Sequence, residues 1–394
     1  MTATATATAH PAAGTGATAA GLEPPLDGAA ILRNIERVLP TVAEQAAECE
    51  RIGHLTDELR DLLTATGAFR AGFAKTRGGP ELSLVEQTRM VELVARSDAG
   101  VAWNVAVLAA TGFYAGRLPA DGYAQLYPHF DLPTAGSFHP RGRAERVEGG
   151  YRITGTWSFG SGIHSATYVL GGSAVFENGA PVLKADGSQL IIGAWFRTEE
   201  VEILDDWHVV GLRASGSSGY RVTDHFVPDR WTFDRYFEPD PHAEPLNKLV
   251  DLPFYSMAGI AVGLAQHAVD IATESLRRRP EVGERQCAIL GEAESLVRAA
   301  RATVYAGVRR IDQAVFTDGE LPTDEDMARG DAPVATEIAR RVVDLCAELS
   351  GSRLVYDNFP MEKVVRDLVG LTAHASTWRA RYVDVGRTCL AGSA

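Results

Sequence analysis

The spacing of apolar residues changes twice along the chain, and this change of period limits the fold more than any other feature of the sequence. Between residues 27 and 130 the apolar residues recur at helical spacing. Between residues 131 and 240 they alternate with polar residues, as in strands. From residue 241 to residue 394 the helical spacing returns in four long segments. This order predicts an α+β fold with an N-terminal helical domain, a central antiparallel β-barrel or sandwich and a C-terminal four-helix bundle.

Capping signals and one apolar helix refine the N-terminal part of the chain. Asp27 is a candidate N-cap, and Ser83 with Glu86 forms an S-x-x-E capping box that opens a later helix. The helix that follows Asp98 contains Trp103 and almost no charges, so we expect it to be buried at an interface or beside a pocket. Residues 1–26 are dominated by Ala, Thr and Gly, and we expect a flexible tail there.

The charge balance argues against two kinds of partner. The chain carries 51 Asp and Glu against 38 Lys and Arg, a formal net charge of −13. Non-specific binding to nucleic acid or to an anionic membrane needs clustered Lys and Arg. The longest apolar run, from Val101 to Phe113, is interrupted by Asn104 and is shorter than the ~20 residues that span a bilayer. We therefore expect neither a nucleic-acid partner nor a membrane partner.

The cysteines and the N-terminus favour a reducing compartment. Cys49, Cys287, Cys346 and Cys389 lie far apart, without a CxxC motif or a histidine at metal spacing. This arrangement predicts no metal site and no disulfide framework. The N-terminal segment lacks the basic and apolar regions of a secretory signal, so we expect a cytoplasmic protein.

Four common enzyme motifs are absent from the sequence. There is no GxxxxGK[ST] phosphate loop, and the glycines between Gly14 and Gly21 neither have GxGxxG spacing nor follow a strand. HExxH and GxSxG are also missing. These absences disfavour a P-loop nucleotidase, a Rossmann dehydrogenase, and the commonest zinc protease and serine hydrolase classes.

Three segments and one histidine, in a fixed order, carry a family resemblance. The segment GGYRITGTWSFGSG resembles the flavin-contacting strand of the acyl-CoA dehydrogenase-like flavin monooxygenases, whose pattern is GGY…GxWxFxSG. The segment DDWHVVGLRASGSSGYRVTDHFVPDR is similar to that family's WxxxGxRGTGS…FVP segment, with Trp207 at its start. A third segment matches the bundle helix that ends in Arg366-Asp367, and His374 follows at the position of the family's active-site histidine. The resemblance extends from about Ala29 to Leu390.

The resemblance implies a reaction, cofactors and partners. These enzymes are the oxygenase components of two-component aromatic hydroxylases, and related N-oxygenases share their fold. A reduced flavin, FMNH2 or FADH2, reacts with O2 to form a C4a-hydroperoxide that must be protected from water. The resemblance therefore implies hydroxylation of an aromatic small molecule in secondary metabolism. It also implies a separate NAD(P)H-dependent flavin reductase and a homotetramer.

The resemblance also assigns the residues that would hold the flavin. The isoalloxazine ring would contact Ser137, Trp157, Phe159 and Ser161, with Ser161 near N5. The flavin phosphate would be held across a subunit interface by Arg278 or Arg279 together with Gln286. Gly351 and Ser352, at a tight helix end, would bring backbone close to that flavin. Arginine suits a phosphate because its guanidinium can make two parallel hydrogen bonds.

Catalysis would fall to His374 together with Ser161, by the same resemblance. An imidazole can take the proton of a substrate phenol or donate a proton to the peroxide. Trp103, Thr111 and His139 would line the substrate pocket. Thr111 occupies a position at which many family members carry a histidine, so the substrate contacts of this chain differ there from the family pattern.

Three other functions stay open at this point. An acyl-CoA dehydrogenase would need a carboxylate base, and no Asp or Glu lies between Asp367 and Asp384. An N-oxygenase of an amino sugar or another amine would share both fold and flavin. A protein that binds a flavin or another ligand without catalysis would give no oxygen-dependent product.

Overall fold

The structure is a computed structural model that describes residues 21–238, 240–249, 255–323, 331–377 and 379–391. Most of the expected flexible tail, residues 1–20, lies outside the described residues. None of the described helices is long and apolar enough to cross a membrane. The described residues contain no group of three or more His, Cys, Asp or Glu side chains that could hold a metal ion.

The N-terminal part of the chain is helical, as the spacing predicts. Its helices are α1 (Gly28–Ile52), α2 (Asp57–Thr66), α3 (Leu84–Ala95), α4 (Ala99–Leu108), α5 (Thr111–Ala115) and α6 (Ala120–Leu126). Asp27 caps α1, and Ser83 and Glu86 make both bonds of the capping box that opens α3. The side chains of α4 are almost all buried, which confirms the expectation drawn from its lack of charges.

The central part of the chain forms one eight-stranded sheet. Its strands are β1 (Thr134–Val147), β2 (Gly150–Trp157), β3 (Tyr168–Glu177), β4 (Ala180–Pro181), β5 (Ile191–Arg197), β6 (Glu202–Ile203), β7 (Tyr220–Pro228) and β8 (Thr232–Asp234). The strand order is β6-β7-β2-β1-β3-β5-β8, and β4 pairs with β3. The sheet is therefore not closed into a barrel among the described residues.

One pairing in this sheet differs from the antiparallel arrangement that the sequence predicts. β1 and β2 form the expected hairpin around Gly149, whereas β3 lies on the other side of β1 and runs parallel to it. The register between β1 and β3 shifts between Ser137 and Gly142, where β1 is irregular. The sheet is mixed because the chain crosses over β1 after β2 and forms β3 on the edge of β1 that is opposite to β2.

The C-terminal part of the chain is helical again. It contains α7 (Ala258–Arg277), α8 (Glu284–Asp312), α9 (Asp331–Ser350), α10 (Pro360–Thr372) and α11 (Tyr382–Ala391). Helix α9 packs against α7, α8 and α10, which gives the expected bundle. Buried residues of all three parts of the chain belong to one continuous hydrophobic core. The predicted α+β fold class, with helical parts before and after a central sheet, is therefore confirmed.

Candidate active site

A buried chain of hydrogen bonds joins helix α4 to the turn that follows β2. The indole Nε1–H of Trp103 donates to Ser161 Oγ at 3.0 Å. Ser161 Oγ lies 2.7 Å from Ser217 Oγ, and Ser217 Oγ lies 2.8 Å from Ser215 Oγ. All four side chains are buried. Each serine hydroxyl can donate once and accept twice, so the direction of this chain can reverse when a ligand binds at its Ser161 end.

His374 lies against the other side of Trp103. The two rings meet edge to face, with centroids 4.9 Å apart and an interplanar angle of 83°. His374 follows the end of α10, and its Nδ1 lies 2.7 Å from Ser376 Oγ and 3.3 Å from Ser376 N. The structure thus brings together Trp103, Ser161 and His374, three residues that the sequence assigns to the substrate pocket and to catalysis.

The surroundings of His374 fix its charge and its tautomer. Burial, with a smaller contribution from Arg381, lowers the pKa of His374 to about 4, so the ring is neutral at physiological pH. The backbone N–H of Ser376 can only donate, so Nδ1 accepts and the ring hydrogen lies on Nε2. His374 is therefore arranged as a neutral hydrogen-bond donor through Nε2–H.

Trp157 does not line a pocket in this structure, contrary to its predicted contact with the flavin ring. Its indole has no accessible surface and stacks on Tyr220, with ring centroids 5.2 Å apart. Its Nε1–H donates to the Gly172 carbonyl at 2.8 Å. A Cβ at Gly155 or Gly171 would lie within 2.7 Å of the indole. Glycines around the ring therefore let Trp157 fill the core of the sheet.

Phe159 lies outside the core. Its side chain is 66% exposed, and its backbone has a φ of 64°, which is uncommon for a bulky residue. Two backbone hydrogen bonds hold the turn, from Gly160 N to the Ser218 carbonyl and from Gly162 N to the Ser215 carbonyl. An exposed aromatic ring on a firmly held, strained turn is a feature of ligand-binding sites.

A cleft of about 830 Å³ opens beside this turn. Its walls include His54, His164, Trp207 and Arg213. The Trp207 ring meets Phe159 edge to face at 6.3 Å. His54 and His164 stack at 4.7 Å, and His164 Nε2 lies 3.0 Å from Ser218 Oγ. Burial and the neighbouring His54 lower the pKa of His164 to about 4.

The sequence alone assigns no role to His54 or Trp207, two of the residues that line this cleft. Trp207 stands in the quoted WxxxGxR segment, so its motif position was the available signal. His54 follows Gly53, which ends α1 in a left-handed conformation. Nothing in the local sequence indicates that a residue there would stack on His164, because the two belong to different domains.

Ser137 is buried on β1, and its backbone N–H donates to the hydroxyl of Tyr220 at 2.9 Å. The structure places it near the end of the sheet that carries Trp157, since Tyr220 stacks on that indole. The contact of Ser137 with a flavin stays a prediction.

Thr111 is enclosed within the protein, whereas His139 is exposed and its predicted substrate contact stays a prediction. Thr111 has no accessible surface, and its hydroxyl donates to the Leu108 carbonyl at 2.7 Å and accepts from Thr134 N at 2.9 Å. It thus joins α5 to the start of β1, and its predicted substrate contact is corrected to a structural one. His139 is exposed on the irregular part of β1.

The residues predicted to hold the flavin phosphate lie together at one end of the bundle. Arg278 ends α7 and is largely exposed, paired with Glu274. Arg279, which follows Arg278, donates to the Leu349 carbonyl near the end of α9 at 3.0 Å. At the start of α8, Arg285, the neighbour of Gln286, pairs with Glu348 of α9, and Gly351 and Ser352 follow the end of α9. Gly351 has a φ of 59°, a conformation that glycine adopts easily.

The residues of the site suit a flavin. The cleft volume lies within the range of roughly 300–1,000 Å³ that small-molecule sites occupy. Trp207 lines the cleft and meets the exposed ring of Phe159 edge to face, so the two rings offer flat apolar surface to a tricyclic ring. Ser161 is buried behind this turn and does not line the cleft. Phe159 therefore fits the cofactor that the sequence implies, whereas Trp157 is enclosed in the core of the sheet. The contact of Ser161 with a flavin stays a prediction.

Comparison with known proteins agrees with this geometry. The family model "Acyl-CoA dehydrogenase, C-terminal domain" matches residues 255–378. The chain is 29% identical to an indole-3-acetate monooxygenase of Pseudomonas putida, over 89% of this chain and 92% of the relative. It is 25% identical to the oxygenase component of a p-hydroxyphenylacetate 3-hydroxylase of Acinetobacter baumannii, over 90% of this chain and 87% of the relative.

A solved structure shares the fold over almost the whole chain. The XiaF protein from a Streptomyces species, solved with FADH2 and glycerol, superposes with a TM-score of 0.84 at 21% identity, covering 93% of this chain and 96% of XiaF. These matches extend through all three parts of the chain, so the resemblance is not confined to one domain. Over nearly its whole length the chain is therefore similar to flavin-dependent monooxygenases with an acyl-CoA dehydrogenase-like fold, among them oxygenase components of two-component systems.

Proposed function

We propose that this chain hydroxylates an aromatic small molecule with O2 and a reduced flavin, FMNH2 or FADH2, which a separate NAD(P)H-dependent flavin reductase supplies. One oxygen atom enters the substrate and the other leaves as water, while the flavin gives up two electrons and two protons. The observation that carries the proposal is the contact of Trp103 with both Ser161 and His374. Two relatives are named for aromatic acids, indole-3-acetate and p-hydroxyphenylacetate, which favours an aromatic ring as the substrate.

The bound reduced flavin supplies the electrons and activates oxygen, and the chain's own residues hold and shield it. Phe159 and Trp207 provide apolar surface for its ring, and Ser161 provides a hydroxyl whose orientation is set by Trp103 Nε1–H. The apolar helix α4 and the sheet core exclude water from the Trp103 side of the site. His374 directs Nε2–H as a donor towards a developing negative charge, since its ring is neutral and Nδ1 is occupied.

The oxygenase proposal is tested by supplying the purified protein with NADH, a flavin reductase, FMN or FAD, and a panel of aromatic acids, phenols and amines under ¹⁸O2. We expect a hydroxylated product with one ¹⁸O atom, formed only when all components are present. A labelled product from amines alone would overturn the aromatic assignment in favour of N-oxygenation. Flavin oxidation that yields only H2O2 with every substrate would overturn the proposal.

The proposal includes a homotetramer in which Arg278, Gln286, Gly351 and Ser352 of one chain hold the flavin phosphate of a neighbour. Large apolar side chains are exposed on the bundle, among them Val355 at 82% and Leu390 at 90%. Surfaces of this kind mark protein contacts. Light scattering should give four times the chain mass, and Arg278→Gln should weaken flavin binding more than Arg298→Gln, which removes an exposed arginine from the middle of α8.

We also place the proposed reaction in the cytoplasm, because a diffusing reduced flavin needs a reductase that uses NAD(P)H. A fluorescent fusion that retains activity should distribute with soluble cytoplasmic markers after fractionation. Recovery of the active fusion only outside the cytoplasm would contradict this placement.

A further inference from the structure

Lys363 lies where three parts of the chain meet. Its Nζ is 2.7 Å from Asp98 Oδ2, 2.6 Å from Asp367 Oδ2 and 3.5 Å from Glu50 Oε2. Glu50 belongs to α1, Asp98 precedes α4 and Asp367 belongs to α10. The carboxylates of Asp98 and Asp367 are almost completely buried, whereas the lysine side chain is 22% exposed. One ammonium group therefore neutralises buried carboxylates from distant segments.

Each of the two buried carboxylates uses its second oxygen to hold a backbone element. Asp98 Oδ1 accepts from Val101 N at 2.9 Å and so caps α4. Asp367 Oδ1 accepts from Leu212 N at 2.7 Å. Leu212 lies in the serine loop, defined as residues 209–218, and has a left-handed backbone with a φ of 53°. Lys363 is thus connected through one aspartate to α4 and through the other to the serine loop.

The serine loop has little freedom to move away from α10. A Cβ added at Gly211 would lie 1.9 Å from the Arg366 carbonyl, so the loop backbone touches the helix. Arg366 also donates to the Val210 carbonyl at 3.1 Å. On the other side, Asn104 of α4 donates to the Ala214 carbonyl at 2.9 Å. The loop is therefore held between α4 and α10, the two elements that Lys363 also joins.

These elements carry the residues of the candidate active site. Helix α4 carries Trp103, the serine loop carries Ser217, and α10 leads directly into His374. Ser217 and Trp103 both hydrogen-bond to Ser161, and His374 packs on Trp103. A displacement of any one element would change the distances within this group.

Lys363 has no substitute as a cation for Asp98 and Asp367 among the described neighbours. Arg366 is occupied by Glu362 and by Glu50 Oε1. Burial alone would lower the pKa of Lys363, but the three carboxylates outweigh burial and raise it, so the side chain stays charged. Burial lowers the pKa of His267 on α7, which keeps that ring neutral. The titratable and charged groups around the lysine are Cys49 and Glu50 of α1, Asp98, Arg213 of the serine loop, His267 of α7, and Glu362, Arg366 and Asp367 of α10.

We propose that Lys363 is a positioning residue of the active site, which fixes α4, the serine loop and α10 relative to one another by neutralising Asp98 and Asp367 together. It touches neither the substrate nor the flavin and acts through Trp103, Ser217 and His374. Its effect on turnover rests on the proposed function, whereas its effect on position can be measured without flavin or substrate.

The test compares Lys363→Met with wild type and with Lys184→Met, which removes another lysine paired with an aspartate, Asp234, but in the sheet domain. Burial already raises the pKa of Asp367, and without Lys363 the neighbouring Asp98 raises it further. The folded state then holds a proton that the unfolded chain has lost, so stability falls as the pH rises through the raised pKa. We expect Lys363→Met to lower the melting temperature by about 5–10 °C near pH 8 and by less near pH 6. Lys184→Met should follow wild type at both values.

A second readout reports position rather than stability. The imidazole of His374 titrates in the folded protein, and ¹³C-labelled histidine spectra can follow it after assignment with His374→Gln. Wild type should titrate near the lowered pKa of about 4, and in Lys363→Met the pKa should move towards 6.5, because looser packing on Trp103 admits water. A purely structural loss would lower the melting temperature and leave the His374 titration unchanged, which would overturn the proposal.

The double variant Lys363→Met/Asp98→Asn distinguishes two effects of losing Lys363, the unneutralised charge of the carboxylates and the missing packing of the lysine side chain. Asparagine still caps a helix, and the pair of unneutralised carboxylates is reduced to one. We expect the pH dependence of the melting temperature to be smaller than in Lys363→Met, with the part caused by burial of Asp367 remaining, and the His374 titration to return towards wild type. If Lys363→Met alone does not accumulate as folded protein, the double variant is compared with Asp98→Asn by the same two measurements. A wild-type titration of His374 in every variant that lacks Lys363 would contradict the proposal.

Discussion

Trp103 donates its indole N–H to Ser161 Oγ at 3.0 Å, and this bond joins the apolar helix α4 to the turn that follows β2. The same indole ring receives His374 on its other side. One side chain therefore sets the positions of both residues expected to act on oxygen and substrate. Its hydrogen bond and its ring can be tested separately.

Trp103→Phe removes the N–H and keeps an aromatic ring for His374. We expect stability to fall by about 1 kcal/mol and the yield of product per reduced flavin to fall at least severalfold, with H2O2 taking its place. Trp195→Phe is the matched control, because Trp195 donates a buried N–H to Tyr127 at 2.8 Å within the sheet domain. It should lose similar stability with normal yield. Equal yields in the two variants would remove the Trp103 hydrogen bond from the mechanism.

Phe159→Ala should affect the cofactor and leave the fold intact. The ring is largely exposed, so its removal opens no core cavity, and we expect a change in stability below about 0.5 kcal/mol. Loss of an aromatic surface should raise the dissociation constant for reduced flavin about tenfold. Phe226→Ala provides the control, since Phe226 is also an exposed ring on the sheet. Flavin titrations that give the same constant for both variants would contradict a flavin contact at Phe159.

Trp157→Phe tests whether Trp157 has a structural role in the sheet core rather than a contact with the flavin. The change leaves the Gly172 carbonyl without its donor and a gap beside Tyr220 and Phe196, so we expect a loss of about 2–4 kcal/mol in the free energy of unfolding. Flavin affinity of the folded variant should stay within about twofold of wild type. A large loss of affinity without a loss of stability would restore Trp157 to the flavin pocket.

These two aromatic residues show how far the sequence could predict the site. The alternation in β2 places Tyr151, Ile153, Gly155 and Trp157 on one face, and that face is buried. Continuing the alternation would bury Phe159 as well. The chain instead turns at Phe159 with a positive φ, and the ring points outward. A change of backbone conformation at a single residue leaves no trace in a hydrophobic pattern.

Contacts between distant segments were equally inaccessible to the sequence. Hairpin signals report only strands that follow one another, so they predict the β1–β2 pair and miss the parallel β1–β3 pair. The grouping of Lys363 with Asp98 depends on the packing of α10 against α4, which no local pattern encodes. The position of His374, by contrast, follows from a motif, because His374 comes eight residues after Arg366 in the chain and just beyond the end of α10.

The buried imidazole of His374 should make the protein sensitive to acid. Its pKa is about 4 in the folded state, below the ordinary 6.5. Between these values the unfolded chain binds a proton that the folded chain does not, so stability is full above about pH 6.5 and falls as the pH drops towards 4. His374→Gln should reduce this acid sensitivity relative to wild type in urea titrations across that range. The comparison with wild type cancels Asp312 and Asp367, whose pKa values burial raises to about 6 and whose effect has the opposite sign. An equal loss of stability on acidification in both proteins would contradict the lowered pKa.

The most direct test of the account is the ratio of hydroxylated product to H2O2 formed by His374→Ala in a single turnover with prereduced flavin. His374 contacts Trp103 and provides a neutral Nε2–H donor, so its removal should leave flavin binding within about twofold of wild type and lower the rate of product formation by roughly 10²–10⁴. The electrons should then appear as H2O2, and His374→Gln, which retains an N–H donor, should recover part of the product. A product-to-peroxide ratio in His374→Ala equal to that of wild type would contradict the central claim that the group of Trp103, Ser161 and His374 is the active site.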